Sequence, residues 1–202
     1  MQLSQIITSA QDTAPDQDGD LVRAAQKDLA LFRLIYDRWA VRIYQYFYFH
    51  TSDPAGAEDL TSQLFLSALQ SLPRYQHRGH FAAWLFAIAR NLSKEYYRKR
   101  RREVPLEAAS GLPSSSDPVD EIARMDEIAR LRLLVQSLPE EERELIRLRY
   151  VAELSFPDMA IVLKKREDAV KKSLYRLHSR LQNILMNGAA PLNERLLEHK
   201  HD

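Results

Sequence analysis

The sequence predicts an all-α protein: two small helical domains joined by a flexible linker, the second containing a helix-turn-helix. Three observations carry this. Apolar residues recur at three- and four-residue steps through most of the chain, the spacing of one buried helix face. Only 5 glycines fall among 202 residues, none in the G-x-G-x-x-G or phosphate-loop arrangement. A single stretch rich in Pro, Gly and Ser, Glu103–Asp120, interrupts the helical period. No strand-like alternation and no internal repeat stands out.

The elements follow in order. Residues 1–20 are polar and acidic and read as a mobile N-terminal tail, without the basic start and apolar run of a secretory leader. A helical domain is expected over residues 21–102. Leu31, Leu34, Ile35, Trp39, Arg42, Ile43, Tyr46 and Phe47 mark the face of its first long helix. Thr51-Ser52-Asp53-Pro54 breaks that helix, with Ser52 or Asp53 able to cap the next. The next helix carries Ala57, Leu60, Leu64 and Ala68 and ends by Pro73. A loop over Tyr75–His80 opens into a long helix with Phe81, Trp84, Leu85, Ile88, Leu92 and Tyr96. The linker 103–120 follows, and a protease-sensitive joint between two independently folding halves is expected there. The second domain spans residues 121–186, and 187–202 form a C-terminal tail.

Composition narrows the function. No apolar run approaches the ~18 residues of a membrane span. The absence of cysteine excludes disulfides, Cys-ligated zinc and thiol catalysis, and fits a cytoplasmic location. The net charge of +1 conceals two basic blocks. Arg74–Arg102 holds nine basic residues against one acid, and Lys164–Arg180 holds seven against two, so the remainder of the chain carries −12. Two cationic stretches in an acidic chain point to two polyanion-binding surfaces. A solvated charged face is the commoner meaning of either block alone.

The second block sits in a helix-turn-helix. Ser155-Phe156-Pro157-Asp158 offers a Ser cap, with Pro tolerated in the first turn because its missing N–H has no partner there anyway. Met159, Ala160 and Leu163 form a short buried face, a turn falls at Lys164-Lys165-Arg166, and Val170, Leu174, Leu177 and Leu181 recur on the second helix. With those turned inward, Asp168, Lys172 and Tyr175 point outward and Lys171 and Arg176 flank them. Such a face suits a major groove. A plain helical hairpin with a basic surface remains open as the alternative.

The first block has a different texture. Tyr75, Phe81, Trp84, Phe86, Tyr96 and Tyr97 are interleaved with its charges. Single strands are held by cationic grooves plus rings on which bases stack. The loop residues Tyr75, Gln76, His77, Arg78 and His80 suit a pocket for an unstacked base. Phe81 and Ile88 read as core, and Trp84 as either core or contact.

The combination resembles the extracytoplasmic-function group of the bacterial sigma-70 family. Asp53-Pro54, Ala57-Glu58-Asp59-Leu60 and Phe65-Leu66 resemble the opening of the family's region 2. Phe81–Leu92 running into Arg98–Arg102 resembles its promoter-melting and −10 segment. Leu138-Pro139, Arg143-Glu144, Leu154-Ser155-Phe156, Met159-Ala160, Leu163, Val170-Lys171 and Arg176 resemble its region 4. The chain departs from the pattern at Ser62-Gln63, where Gln-Glu is usual, at Lys164 and Asp168, where glycines are usual, and at Gly79, about two places late.

The resemblance implies a sigma factor that binds core RNA polymerase and directs promoter-specific initiation, with no covalent chemistry and no cofactor. Glu58, Asp59, Ser62, Gln63 and Leu66 would dock on the clamp helices of a large polymerase subunit, and the second domain would lean on the flap. Tyr75, Gln76, His77, Arg78, His80, Trp84, Arg90, Asn91, Lys94 and Arg98 would capture the melted −10 strand. Arg166, Lys171, Lys172, Tyr175 and Arg176 would read the −35 duplex. An anti-sigma factor is the further partner implied. Three other readings compete: a stand-alone helix-turn-helix regulator, an adaptor or anti-sigma protein, and an enzyme. The last has six histidines and scattered acids for candidates. His77 and His80 lie three apart, but no third ligand falls at metal-binding spacing, so no metal site is expected.

Overall fold

The computed structural model describes residues 18–103 and 133–186. The expected tails and the linker beyond Glu103 lie outside the described residues. Every regular element among those described is helical.

Helix α1 (Gly19–Lys27) is followed by a 3-10 turn, Leu29–Leu31, which the Asp28 carboxylate starts by accepting from the Ala30 amide. Helix α2 (Phe32–Thr51) ends at Ser52 in the left-handed conformation, φ 53°. The expected break is therefore real, and Asp53 is the cap of α3 (Pro54–Ser71), accepting from the Ala55 amide at 3.2 Å with Pro54 in the first turn. Gly56 follows there because there is little room for a side chain. A Cβ would stand 2.9 Å from Asp53 Oδ2 and 3.0 Å from the Tyr96 hydroxyl. A 3-10 turn, Leu72–Arg74, leads to the loop before α4 (Phe81–Glu103). The Gln26 amide of α1 donates to the carbonyls of Leu72 (2.9 Å) and Tyr75 (2.6 Å) and anchors that loop's start.

The core of this half contains Ile35, Trp39, Ile43 and Phe47 of α2, Leu60, Leu64 and Ala68 of α3, and Phe81, Leu85 and Phe86 of α4. Two positions depart from the expected face. Leu34 is exposed, and Arg42 is half-buried because its guanidinium lies 4.8 Å over the Trp39 ring.

In the second half, residues 133–137 are helical, α5 spans Glu140–Ile146, and a π-helical turn covers Arg147–Val151. Helix α6 (Phe156–Leu163) begins as the sequence predicts, with Ser155 Oγ accepting from the Asp158 amide at 3.2 Å. Helix α7 (Glu167–Met186) buries Val170, Leu174 and Leu177 against Leu148, Phe156, Met159 and Val162. The turn between α6 and α7 closes on Lys164 at φ 55°, the left-handed position that glycine usually fills. Nothing but the backbone demands that conformation. Lys164→Gly should therefore stabilise the chain by up to about 1 kcal/mol, read as a higher denaturation midpoint.

The two halves pack on each other. Helix α6 lies against α4, the π-helical turn lies against α2, and residues of both halves form one continuous buried cluster. The two halves are covered by each other.

Candidate nucleic-acid interface

Three surfaces hold the residues singled out from the sequence. On α3, Glu58, Asp59, Ser62, Gln63 and Leu66 are all exposed, while Leu60, Thr61, Leu64 and Phe65 face inward. Leu66 keeps 56% of its surface in solvent, an apolar centre for a face otherwise acidic and polar. The Ser62 hydroxyl turns back on the Glu58 carbonyl, and the missing acid is at the next position, where Gln63 is exposed and uncharged.

The second surface lies around the start of α4. Tyr75, Phe81 and Trp84 form an aromatic group, with the Tyr75 and Trp84 centroids 4.6 Å apart and the Phe81 and Trp84 centroids 5.4 Å apart. Phe81 is core at 1% exposure, as expected. Trp84 is half-buried, one side on those rings and the other open, and Ile88 is half-buried rather than core. Gln76 and Arg78 are exposed and hydrogen-bond each other at 3.2 Å, and His77 is half-buried beside the Tyr75 ring. Gly79, at φ 80°, supplies the left-handed turn of the loop. Asn91, Lys94 and Arg98 are exposed along α4.

Two members of the expected set point elsewhere. His80 Nδ1 is 2.8 Å from Asp158 Oδ1 of α6, and Arg90 Nε is 3.5 Å from Glu144 Oε1 of α5. Both are engaged with the second half.

On the third surface, Arg166, Lys172, Tyr175 and Arg176 are exposed along the outer face of α7 and its turn. Lys171 is half-buried, paired with Glu167 at 2.7 Å and 5.5 Å from the Phe156 ring centroid. It flanks the face, as its helical angle predicts.

Sequence reasoning missed the polar cluster between the halves. Glu144, whose side chain is 6% exposed, accepts from the Tyr46 hydroxyl at 2.8 Å and lies 2.9 Å from His50 Nε2 and 3.3 Å from Arg147 Nε. Arg42 adds an ion pair to Glu153 at 2.9 Å. Arg149, also unforeseen, donates to the Leu154 carbonyl and lies 4.6 Å over Phe156. The one visible signal was Arg42, a cation on the apolar period of α2. Burial alone would raise the Glu144 carboxyl, but hydrogen bonds from His50 and Tyr46 and the Arg147 charge bring it down to about 2. Burial holds the His50 imidazole below its ordinary value despite the Glu144 hydrogen bond, so near neutrality Nε2 carries the proton that Glu144 accepts. His50, Glu140 and Glu144 stand close enough to share a metal ion. The Arg147 guanidinium, however, hydrogen-bonds both carboxylates and takes the cation's place.

The pH dependence follows. The groups facing His50 are Glu140, Glu144 and Arg147 of the second half and Tyr46 and Tyr97 of the first. A histidine depressed in the folded chain takes up its proton on unfolding, so stability is complete above the ordinary value of ~6.5 and falls as pH drops below it. His178, depressed by burial, adds in the same direction. The Glu144 contribution is lost only lower, as pH falls from about 4.5 towards about 2. Thermal midpoints measured from pH 7.5 to 5 should decline, and His50→Gln should flatten the slope.

Comparison with known proteins places the chain. The Sigma-70 region 2 family model matches residues 35–103, and the Sigma-70 region 4 model matches residues 128–181. The chain is 32% identical over 175 residues to the ECF RNA polymerase sigma factor BldN of Streptomyces coelicolor, a match covering 84% of this chain and 66% of that protein. It is 31% identical over 129 residues to the ECF RNA polymerase sigma factor EcfG of Rhodopseudomonas palustris, covering 64% of this chain and 71% of that one. In fold it is similar to CnrH as solved in complex with the cytosolic domain of CnrY, with a TM-score of 0.63, 24% identity, and coverage of 85% of this chain and 99% of that one.

Proposed function

The chain belongs to the extracytoplasmic-function group of RNA polymerase sigma factors, and on that footing we propose how its surfaces divide the work of initiation. The exposed face of α3, centred on Leu66, docks on the clamp helices of core polymerase. Residues 121–186 read −35 duplex DNA through the outer face of α7. Residues 21–102 capture the melted −10 strand around Tyr75, Trp84 and Asn91. The observation that carries this division is that Tyr75 and Trp84 form a ring pair at the start of the helix that carries exposed Asn91, Lys94 and Arg98. Bases unstacked from a duplex need that combination of rings and cations.

Melting requires no nucleotide hydrolysis in this scheme. Binding of the open strand shifts the duplex–open equilibrium by the difference in affinity for the two forms. The protein itself performs no covalent chemistry and works in the cytoplasm, where polymerase and promoters are. No helix among the described residues is long and apolar enough to cross a membrane. An anti-sigma factor is its further expected partner. A stand-alone helix-turn-helix regulator would leave the α3 face and the ring pair without a use.

Transcription in vitro with core polymerase tests the assignment: added chain should give promoter-specific transcripts that core alone does not. For the −35 face, Lys172→Ala and Arg176→Ala should each weaken recruitment by about 1–3 kcal/mol if a base-edge contact is lost, and less for a phosphate contact. Recruitment equal to wild type across a salt series would remove α7 from the −35 role.

A further inference from the structure

The Glu144 carboxylate occupies a cradle made almost wholly by the other half. Oε1 faces the Tyr46 hydroxyl and Arg90 Nε, and Oε2 faces His50 Nε2. The fourth partner, Arg147, comes from the same half as Glu144 and departs with it. Tyr46 is fully buried and the His50 side chain is 5% exposed, so the cradle is built rather than incidental.

The closed arrangement cannot be the one that spans a promoter. Elements at −10 and −35 lie roughly 25 base pairs apart, on the order of 85 Å along B-form DNA. The two halves are in contact here. Residues 104–132 have an extended reach of about 100 Å, enough to let each half take its own element. Once the halves part, Tyr46, His50 and Arg90 lose their carboxylate. Among the described residues, the acids in contact with His50 or Arg90 are Glu140 and Glu144, and both leave with the second half. What stays is a hydroxyl donor and an imidazole on α2 and a guanidinium on α4, the helix that also carries Asn91 and Lys94. Such a set fits a singly charged oxyanion.

We propose that Tyr46, His50 and Arg90 form a site for one backbone phosphate of single-stranded promoter DNA, which Glu144 fills in the free chain. Tyr46 and His50 thereby join the −10 machinery, and Glu144 becomes a competitor that suppresses strand binding until polymerase separates the halves. Asp158 on His80 and Glu153 on Arg42 reinforce the closed state. The inference rests on the proposed role of residues 21–102 in single-strand binding.

The test measures affinity of the full-length chain for a short oligo-dT strand over a salt series. Glu144→Gln should bind at least about fivefold more tightly than wild type. Its log–log salt slope should be steeper by about 0.7, one extra phosphate contact on a single strand. Adding Tyr46→Phe or His50→Gln to Glu144→Gln should take back most of the gain. The double variant Glu153→Gln with Asp158→Asn removes two ion pairs between the halves without touching the cradle, and so weakens the closed state. It should show a gain in the same direction, about twofold, and provides the test should Glu144→Gln fold poorly. A gain absent from both Glu144→Gln and this double variant, or one that persists after Tyr46→Phe and His50→Gln, overturns the site. If the holoenzyme still opens promoters in that event, only the cradle falls; loss of initiation as well removes the reading beneath it.

Discussion

Replacing Glu144 by alanine should destabilise the free chain by about 3–5 kcal/mol, the cost of leaving buried cations without their counter-charge. Both carboxylate oxygens are in use, by Tyr46 and Arg90 on one side and His50 and Arg147 on the other. Hydration cannot readily replace those bonds at a side chain 6% exposed. For a domain pair of this size the loss corresponds to a fall of roughly 6–20 °C in thermal midpoint. Tyr46→Phe removes one hydrogen bond and should cost about 1–2 kcal/mol, well short of the alanine variant. Equilibrium denaturation compares the variants. A loss under about 1 kcal/mol for Glu144→Ala would mean that water reaches the cluster and that the halves are not held together through it.

The second large effect concerns melting. Asn91→Ala and Trp84→Ala should leave polymerase binding and closed-complex formation nearly unchanged, and should depress open-complex formation about tenfold or more. Base stacking on Trp84 is worth about 1–3 kcal/mol per base, losing a hydrogen bond from Asn91 that leaves a captured base unsatisfied costs about 1–3 kcal/mol, and both contacts exist only with the open strand. The two variants differ in their structural cost. Asn91 is exposed, so its truncation should leave the fold intact. Trp84 is half-buried against Tyr75 and Phe81, so part of its effect will appear as lost stability, up to about 3 kcal/mol. Thermal melts followed by circular dichroism separate the two. An Asn91 variant that is folded and opens promoters like wild type would remove Asn91 from strand capture.

Much of the fold was legible because it is set by local chemistry. Asp53-Pro54 and Ser155 with Pro157 start helices at the positions their capping chemistry requires, and the apolar period places Val170, Leu174 and Leu177 inward on α7. The outward residues Lys172, Tyr175 and Arg176 follow from the same angle. Long-range pairing was not legible. Glu144 closes the run Glu140-Glu141-Glu142-Arg143-Glu144, which reads as a solvated charged face; Glu140 and Glu141 are indeed exposed, and Glu142 is half-buried against Arg180. Only its meeting with Tyr46, 98 positions earlier, sets Glu144 apart. The same holds for Arg90 and His80. Their residue types announce nucleic-acid contact, and nothing local announces that a carboxylate of the other half reaches them first. The left-handed Lys164 was visible as a missing glycine, and the chain accepts the cost rather than reshaping the turn.

The most direct test of promoter opening by this chain compares duplex and pre-melted templates. Holoenzyme carrying Asn91→Ala is assayed on a fully paired promoter and on the same promoter with a mismatched bubble over the −10 element, with permanganate reactivity reporting the open strand. If the region around Tyr75, Trp84 and Asn91 drives melting by holding the open strand, the variant should fail on the duplex by about tenfold and recover most of that on the bubble, where unpairing no longer opposes it. Normal opening of the duplex by the variant, or an equal defect on both templates, would contradict capture as the source of melting.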